Sequence, residues 1–374
     1  MKIGVISTYL NTLGGAERTT ISLVEALENK GHDVTLYCSG GVNNEDIARI
    51  FGKKINAKIV NTITFNLPLF GIYQNLINHS LVRFYRKKNE LLIDISGTIL
   101  PLWFGKIPEI TYCHFPVTAE LDRAGKYKHG FWKAYFLPFY GIVNSATKNL
   151  RKTRLLANSH FTARWCKKVW GIYPEVVYPP VEINKWKNDI PFDKKQDIVS
   201  VSRFSQEKNQ LLQVRVMERL QKMGREEKLH MIGTARTPSS KIMLNKIKTE
   251  INRLGLKNII IHENIPFRRL IENVSKAKVF VHSMVDEPFG LVIVEAMSSG
   301  CIPIVHNSGG APEIVPFPQL RYNDIDDFAL KLVETLDGKN DHLAPKFPEI
   351  AKRFSEDVFQ KRMIEIIDEV KKGH

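Results

Sequence analysis

The amino-acid sequence predicts an α/β protein made of two Rossmann-like domains that face each other across a cleft. Two series of apolar, strand-like segments alternate with helical patterns, one series in each half of the 374 residues. A proline-containing, polar stretch from Tyr178 to Asp193 separates them and is typical of a linker. We therefore expect one domain over residues 1–185 and a second over 186–354. A helix at about 355–374 is expected to pack back on the first domain.

The composition is that of an ordinary globular protein, with 43% apolar and 25% charged residues. The four cysteines, Cys38, Cys113, Cys166 and Cys301, form no C-x-x-C pair, so we expect neither a zinc site nor a disulfide framework, and a reducing cytosol fits best. The N-terminal segment lacks the long apolar stretch of a signal peptide, and no uninterrupted run of about 18 apolar residues occurs. No transmembrane helix is expected.

The formal net charge of +15 arises mainly in the first half of the chain. Residues 51–190 hold 21 lysines and arginines against 8 acidic residues, and include the basic runs 83–88 and 151–154. Nucleic acid, anionic lipid and phosphorylated ligands would all respond to such a field. A solvated basic face is the alternative.

The first domain opens with the pattern of a βαβ unit. Ile3–Ser7 is a strand pattern, Thr12–Gly15 a glycine turn, Ala16–Asn29 an amphipathic helix and Asp33–Cys38 a second strand. Gly31 follows the helix as a C-terminal cap would. We expect a parallel sheet, with the glycine turn at the edge where open α/β sheets bind ligands.

The second domain contains five further strand patterns that alternate with helices. They cover residues 197–201, 228–232, 258–261, 277–282 and 301–305. Ser355–Lys372 is an amphipathic helix pattern whose apolar positions are Val358, Met363, Ile364, Ile366, Ile367 and Val370.

The segment DEPFGLVIVEAMSSG, from Asp286 to Gly300, is apolar and β-branched, yet its flanks indicate a helix. Asp286 is a suitable N-cap, Pro288 suits the first turn, and Gly300 ends the helix before the next strand. Glu287 then lies in the loop that leads into the helix, and Glu295 lies on its second turn.

The backbone amides of Phe289, Gly290 and Leu291 at the helix start would form an anion site. A diphosphate could bind there, with hydroxyls of the attached sugars bonded to Glu287 and Glu295. The alternative is that Glu287 only supports the helix N-terminus and that Glu295 is a partly exposed surface residue. If Glu295 faces inward, a group with hydroxyls must satisfy it, because a buried unpaired charge is costly.

Arg203 and Lys208 follow the first strand of the second domain, at its carboxyl end. Two cations match the charge of a pyrophosphate, and neutralising a leaving diphosphate lowers the barrier to its departure. The alternative is a loop with surface cations.

Gly14 and Gly15 would let backbone approach a ligand, but without G-x-G-x-x-G spacing they do not support dinucleotide binding. A lone histidine after a strand pattern, such as His114, is more often structural than catalytic.

Several common functions are disfavoured by missing motifs. No H-E-x-x-H, G-x-x-x-x-G-K-[ST] or G-x-S-x-G is present, which argues against the commonest metalloprotease, P-loop and hydrolase functions. The acidic run 324–327 resembles a helix start more than a metal site, and no metal is required.

Aromatic residues recur at helical spacing over residues 130–140. Core packing explains them, and an interfacial surface that meets acyl chains and anionic headgroups is the alternative.

Two motifs give the chain a resemblance to the GT-B glycosyltransferases of family 4 over nearly its whole length. E-P-F-G-L-V-I-V-E, from Glu287 to Glu295, is similar to the E-x7-E signature of that family, and S-R-F-S-Q-E-K-N-Q, from Ser202, is similar to its usual partner. The resemblance implies a nucleotide-sugar donor, transfer that retains the anomeric configuration, and no metal ion or other cofactor.

The same resemblance implies roles for individual residues. Glu287 would contact hydroxyls of the donor sugar, and His114, at the His-x-Pro position, would lie beside the transferred sugar. These two are the expected catalytic residues. Glu295 would bind the ribose, and Arg203 and Lys208 the diphosphate. The expected donor-binding residues in full are Gly14, Gly15, Arg203, Lys208, Phe289, Gly290, Leu291 and Glu295.

A narrower resemblance rests on four short segments. Y-C-H-F-P at 112–116, V-Y-P-P at 177–180, E-N-I-P-F at 263–267 and V-H-N-S-G-G at 305–310 are similar to the Alg11-type α-1,2-mannosyltransferases, which extend lipid-linked oligosaccharides from GDP-mannose. The sequence departs from eukaryotic members in lacking an N-terminal membrane anchor. This implies an enzyme held peripherally on the cytoplasmic face of the membrane.

We therefore expect a retaining hexosyltransferase that moves mannose from GDP-mannose to a lipid-linked or membrane-presented glycan. An anionic membrane surface is an expected partner, and nucleic acid is not. A family 4 transferase that uses a UDP-sugar, or a GT-B-fold epimerase or phosphorylase, is the alternative.

Overall fold

The computed structural model describes residues 1–10, 14–64, 71–85, 88–97, 107–119, 130–146, 150 and 153–372. Some predicted features lie outside these residues, namely Thr12 and Leu13, Arg86 and Lys87, and Arg151 and Lys152, and so do the side chains of Arg83, Phe131 and Trp132. The chain divides into two compact units, called unit 1 (Met1–Pro180 with Glu356–His374) and unit 2 (Val181–Ser355).

Unit 1 is built on a seven-stranded parallel sheet in the order β3-β2-β1-β4-β5-β6-β7. Its strands are β1 (Lys2–Tyr9), β2 (Asp33–Ser39), β3 (Lys58–Ile63), β4 (Leu91–Asp94), β5 (Glu109–Cys113), β6 (Arg154–Ala157) and β7 (Glu175–Val176). Its described helices are α1 (Gly15–Asn29), α2 (Asn44–Phe51), α3 (Gly71–Tyr85), α4 (Gly130–Ala146), α5 (His160–Trp170) and α13 (Glu356–Lys372). The predicted βαβ unit is confirmed as β1, α1 and β2.

The C-terminal helix α13 contributes to the core of unit 1. Its buried residues Phe359, Met363, Ile366 and Ile367 pack with side chains of α1 and the sheet. The predicted apolar stripe is confirmed except at Val358, which is exposed. Phe359 takes its place because only that position shares a helix face with the residues four, seven and eight positions later.

Unit 2 is built on a six-stranded parallel sheet in the order β10-β9-β8-β11-β12-β13. Its strands are β8 (Gln196–Val201), β9 (Leu229–Gly233), β10 (Ile259–Glu263), β11 (Ala277–His282), β12 (Ile302–His306) and β13 (Arg321–Tyr322). Its α-helices are α6 (Gln210–Lys222), α7 (Pro238–Arg253), α8 (Phe267–Lys276), α9 (Leu291–Ser298), α10 (Ala311–Ile314), α11 (Ile325–Leu336) and α12 (Lys346–Ala351). All five predicted strands are confirmed, and the short β13 was not predicted.

The acidic run 324–327 is a helix start, as predicted. The Asp324 carboxylate accepts hydrogen bonds from the amides of Asp326 and Asp327, each at 2.9 Å, and α11 follows. Since the carboxylate satisfies amides that the helix leaves unpaired, the acidic residues are explained by capping.

The division between the units falls after Pro180, a few residues before the boundary expected from the sequence. Val181 and Trp186 pack within unit 2: the Val181 amide donates to the Phe354 carbonyl at 3.0 Å, and the Trp186 carbonyl accepts from the Ser299 hydroxyl at 2.8 Å. The start of the expected linker is therefore part of a folded unit.

Within the described residues, no helix is both long enough and apolar enough to cross a bilayer. The four cysteines are buried free thiols. The sulfur atoms of Cys113 and Cys166 lie 3.8 Å apart.

Candidate active site

An ion pair shielded from solvent lies at the carboxyl edge of the unit 2 sheet. Lys208 ends a short 3-10 helix (Gln206–Lys208) after β8, and Glu287 lies in the loop after β11. The Lys208 Nζ is 2.6 Å from the Glu287 Oε2. Because β8 lies between β9 and β11, the two loops meet at the topological switch point of the sheet, where open α/β sheets bind ligands.

Glu287 keeps its negative charge despite its burial. Burial alone would raise the pKa of this carboxyl, but the Lys208 ammonium and the His282 ring together hold the pKa well below its usual range. The His282 Nε2 lies 3.1 Å from the Glu287 Oε2, although the two groups are not aligned for a hydrogen bond. Glu287 is therefore a hydrogen-bond acceptor at neutral pH and has no proton to donate.

The loop that carries Glu287 rests on the glycine turn after β12. The Gly310 amide donates to the Glu287 carbonyl at 2.7 Å. A Cβ atom at Gly310 would lie 2.4 Å from the Pro288 carbonyl oxygen, and one at Gly309 would lie 2.5 Å from the Glu287 carbonyl oxygen. Only glycine permits so close an approach of backbone to backbone. This turn holds the Glu287 loop in place. In the sequence, the two glycines were noted only as part of the V-H-N-S-G-G segment that resembles known mannosyltransferases.

Helix α9 begins at Leu291, so the predicted start near Asp286 is wrong. Gly290 precedes the helix with φ of 106°, and Asp286 has φ of 54°. Neither angle is helical, because contacts with the glycine turn shape this loop and override the capping preference of Asp286 and the first-turn preference of Pro288. Gly300, with φ of 77°, follows the end of the helix as predicted.

Glu295 lies on the second turn of α9, as predicted, and is only 5% exposed. The alternative that it is a partly exposed surface residue is therefore wrong. Phe289 is also buried, with its ring 5.5 Å from that of Phe354. Its side chain is a core group, so only its backbone is suited to a ligand. Leu291 opens the helix and is half-buried.

Arg203 lies apart from the shielded Lys208–Glu287 pair. Its side chain is 65% exposed, and its guanidinium pairs with Glu207 at 3.1 Å. The Arg203 carbonyl accepts from the Gln210 Nε2 at 2.7 Å, which anchors the backbone and leaves the side chain in solvent. Of the two predicted cations, the structure brings only Lys208 to Glu287.

Gly14 and Gly15 stand at the corresponding edge of unit 1. Gly14 is the N-cap of α1 and Gly15 its first residue, and β1 lies between β2 and β4 at the switch point of this sheet. Glu17 folds back over the turn, so that a Cβ atom at Gly14 would lie 2.1 Å from the Glu17 Oε2. A carboxylate thus occupies the helix N-terminus, where an anionic ligand would be favoured.

His114 follows β5 at the same edge of unit 1. Its Nε2 lies 3.3 Å from the Ile95 carbonyl oxygen, and since a carbonyl only accepts, this nitrogen carries the proton and Nδ1 is left as an acceptor. Burial lowers the pKa of the ring to about 4, so the ring is neutral at physiological pH. Gly97, with φ of 76°, makes room for it, because a Cβ atom there would lie 2.6 Å from the His114 Cδ2.

A contact between the buried side chains of His79 and Asp94 fixes the turn beneath His114, and it was not predicted from the sequence. The His79 Nε2 lies 2.9 Å from the Asp94 Oδ2, and the Ser96 amide donates to the Asp94 Oδ1 at 3.0 Å. The signal that could have found it is the aspartate that ends the apolar strand L-L-I-D.

Glu109 is a second buried acid that the sequence analysis missed. It is 4% exposed, and neither carboxylate oxygen has a hydrogen-bond partner among the described residues. Burial and, after it, the charge of Asp94 raise the pKa of Glu109 to about 8, while His79 and Thr111 lower it by less. The carboxyl is therefore mostly protonated at neutral pH.

The described parts of the chain contain no group of three or more histidine, cysteine, aspartate and glutamate side chains placed to hold a metal ion. Unit 2 offers the Lys208 ammonium, the Glu287 carboxylate, which is ionised at neutral pH, and the amides at the start of α9. This combination suits an anionic ligand that also carries hydroxyls.

Two family models match the chain. The model for glycosyl transferases group 1 matches residues 182–336, and the model for glycosyltransferase family 4 matches residues 13–185. The matches overlap at residues 182–185 and together cover most of the chain. The protein belongs to the GT-B glycosyltransferases of family 4.

Two relatives agree with this assignment, and a solved structure has a similar fold. The GDP-Man:Man(3)GlcNAc(2)-PP-Dol alpha-1,2-mannosyltransferase of Homo sapiens is 28% identical over 366 residues, which cover 83% of this chain and 73% of the relative. The alpha-1,3/1,6-mannosyltransferase of Kluyveromyces lactis is 25% identical over 435 residues, which cover 96% and 83%. The fold is similar to that of HepE from Anabaena, solved in complex with UDP, with a TM-score of 0.75 at 17% identity over 99% and 100% of the two chains.

Proposed function

We propose that this protein transfers mannose from GDP-mannose to a lipid-linked glycan. The observation that carries the proposal is the shielded Lys208–Glu287 pair, because it sets a cation and a carboxylate on a rigid frame at the switch point of unit 2. Mannose is the sugar in the names of both relatives, and the name of the human relative also contains GDP-Man and a PP-Dol-linked glycan. These names support the donor and the class of acceptor.

In this proposal, donor binding exchanges one partner of Lys208 for another. The ammonium moves its contact from Glu287 to the diphosphate, and the amides of Phe289, Gly290 and Leu291 donate to phosphate oxygens. Glu287, which stays ionised, then accepts hydrogen bonds from the sugar hydroxyls. Because Lys208 neutralises charge that grows as the diphosphate leaves, it stabilises the transition state more than the ground state.

The other donor contacts follow from family membership and burial. Glu295, buried on the second turn of α9, accepts from the ribose hydroxyls. Arg203 reaches the diphosphate from the exposed side, and Gly14 and Gly15 admit donor oxygens near the start of α1. His114, neutral and with Nδ1 free to accept, positions a sugar hydroxyl.

We further propose that transfer retains the anomeric configuration and needs no metal ion or other cofactor. Family membership supports retention. Lys208, Arg203 and the amides at the start of α9 supply the positive charge that a metal would otherwise bring to the diphosphate. Transfer in the presence of EDTA should therefore proceed at the rate measured without it, and a rate restored only by added Mg²⁺ or Mn²⁺ would contradict this part.

The proposed place of action is an anionic membrane surface on its cytoplasmic side, with the protein bound peripherally. The PP-Dol-linked glycan in the name of the human relative supports a membrane-presented acceptor. The basic excess of residues 51–190 supports anionic lipid, and the four free thiols suit a reducing compartment.

The central test is substitution of the shielded Lys208–Glu287 pair. With radiolabelled GDP-mannose and a lipid-linked mannosylated acceptor, Lys208→Met and Glu287→Gln should each lower kcat by about 100-fold or more, the loss typical of removing a group that stabilises a developing charge. Lys53→Met is the matched control, because its ammonium is equally shielded and pairs with Glu25 and Glu356 in unit 1. Near-normal turnover by either site variant would refute the donor site.

A panel of nucleotide sugars tests the donor. GDP-mannose should raise the melting temperature, and a concentration of 100 times Kd stabilises the folded protein by about 2.7 kcal/mol. A shift with UDP-glucose or UDP-N-acetylglucosamine, and none with GDP-mannose, would contradict the proposed donor. An altered nucleotide sugar formed without acceptor would indicate an epimerase.

A further inference from the structure

Helix α4 is apolar on its solvent side as well as on its core side. Phe136, Phe139 and Val143 face the core and pack with Leu76 and Val117. The exposed residues of its described part are Lys133, Ala134, Leu137, Pro138, Gly141 and Ile142, and only the lysine is polar. Core packing thus explains one side of this aromatic helix, and the other side is exposed over its described residues.

Helix α3 continues this exposed apolar surface. Phe84 is 82% exposed and Ile77 is also exposed, and their spacing of seven residues places them on one stripe of the helix, with the exposed, polar Ser80 between them on that stripe. The stripe borders the contact with α4, because Tyr73, one turn before Ile77, packs edge-on against Tyr135 with ring centroids 5.1 Å apart. We call these exposed residues of α3 and α4, namely Ile77, Phe84, Leu137, Pro138, Gly141 and Ile142, the apolar surface.

Such a surface is unusual on a protein in water. Helices at a protein surface carry polar residues on their outer side, and contiguous exposed apolar residues mark interaction sites. The 17 residues of α4 span about 25 Å, and no helix among the described residues can cross a bilayer. A helix of this kind suits the boundary between headgroups and acyl chains, where its axis lies in the membrane plane.

The charge of the segment that carries α3 and α4 distinguishes a lipid partner from a protein partner. Lys133 on α4 and Lys88, which follows α3, are both exposed, and residues 51–190 carry 21 basic and 8 acidic residues in all. A second copy of the chain would bring two segments of the same charge together, which is unfavourable. Anionic headgroups would instead match the lysine and arginine side chains, while acyl chains cover the apolar residues.

We propose that the apolar surface of α3 and α4 inserts into a bilayer that contains anionic lipid and thereby holds unit 1 at the membrane. The purpose of this contact rests on the proposed function, since a lipid-linked acceptor lies at a membrane. The surface itself is defined by exposure and charge, which do not depend on that function. Binding and catalysis can therefore be tested separately.

Vesicle flotation tests the surface directly. The wild-type protein should float with phosphatidylcholine vesicles that contain phosphatidylglycerol, and floating should decrease with pure phosphatidylcholine or at high salt. The double variant Leu137→Ser/Ile142→Ser should bind at least about tenfold more weakly, because two aliphatic anchors are lost. The matched control is Leu330→Ser/Val358→Ser, which removes two equally exposed aliphatic side chains from α11 and α13.

The outcomes are distinct. The inference is overturned if wild-type protein does not float, or if the α4 variant floats as well as the control. A concentration-dependent dimer that Leu137→Ser/Ile142→Ser abolishes would also overturn it and assign the surface to a second copy. Transfer from GDP-mannose to a soluble short-chain acceptor, measured without vesicles, should be equal in both variants. If wild-type protein floats but performs no such transfer, only the proposed function fails.

Discussion

Replacement of Glu109 by glutamine should stabilise the protein, and the gain should grow with pH. The carboxyl lies in β5 beside Leu92 of β4, nearly excluded from solvent and without a hydrogen-bond partner among the described residues. Glutamine has nearly the same shape and no charge. The substitution therefore removes the ionisation of this site and leaves its packing in place.

The sign follows from where the proton is held. The pKa of Glu109 is about 8 in the folded protein and near 4.5 in the unfolded chain. Between these values the folded state keeps a proton that the unfolded state has released. The contribution of this group to the free energy of unfolding is therefore fully present below pH 4.5 and is lost as the pH rises toward 8. Each rise of one pH unit in this interval lowers the free energy of unfolding by about 1.4 kcal/mol, and the whole interval lowers it by about 5 kcal/mol.

The assay is urea denaturation of wild-type protein and Glu109→Gln at several pH values from 5 to 8. The two proteins should be similar near pH 5, and the variant should become progressively more stable up to pH 8. Glu226→Gln, at an exposed position, is the control and should run parallel to wild type throughout. Parallel curves for Glu109→Gln as well would refute the reasoning, because they would show that the carboxyl ionises in the folded state as it does in water.

Two further predictions concern the site and the core. Gly97→Ala should lower kcat for transfer by about tenfold or more, because its new methyl group displaces the His114 ring. Gly224→Ala introduces a similar left-handed backbone strain with no neighbour within 4 Å and should keep kcat, so equal losses in the two variants would argue against displacement of the ring. Ile366→Ala, in the buried side of α13, should lower the free energy of unfolding by about 2–5 kcal/mol in urea denaturation. Leu330→Ala, at an exposed site, should change it by less than about 0.5 kcal/mol, and a similarly small change for Ile366→Ala would show that α13 contributes little to the core.

The two sheets could be predicted because their signal is local. Each strand is a short apolar run between turn residues, and each helix repeats its apolar positions every three or four residues, so a window of about 15 residues carries the information. The position of Lys208 and Glu287 at one sheet edge also followed, since the carboxyl ends of parallel strands meet there. Their direct contact was not predicted, because it depends on the order of β8 and β11 in the sheet.

The missed features depend on residues that are distant in sequence. Whether Glu109 is buried without a partner depends on the strands and helices around it, and its pKa depends on Asp94 in the neighbouring strand. Asp286 has the chemistry of an N-cap, but the glycine turn near Gly310 sets the course of its loop. The local conformational preference of a residue is overridden where tertiary contacts fix its backbone.

The docking of α13 on unit 1 has a consequence for synthesis. Unit 2 lies wholly between Pro180 and Glu356, so it leaves the ribosome before the last segment of unit 1 does. Phe359, Met363, Ile366 and Ile367 complete the core of unit 1 only after translation has passed Glu356. The unit that is first in sequence is therefore the last to be completed, and until then the groove that α13 fills is exposed to chaperones and to neighbouring nascent chains.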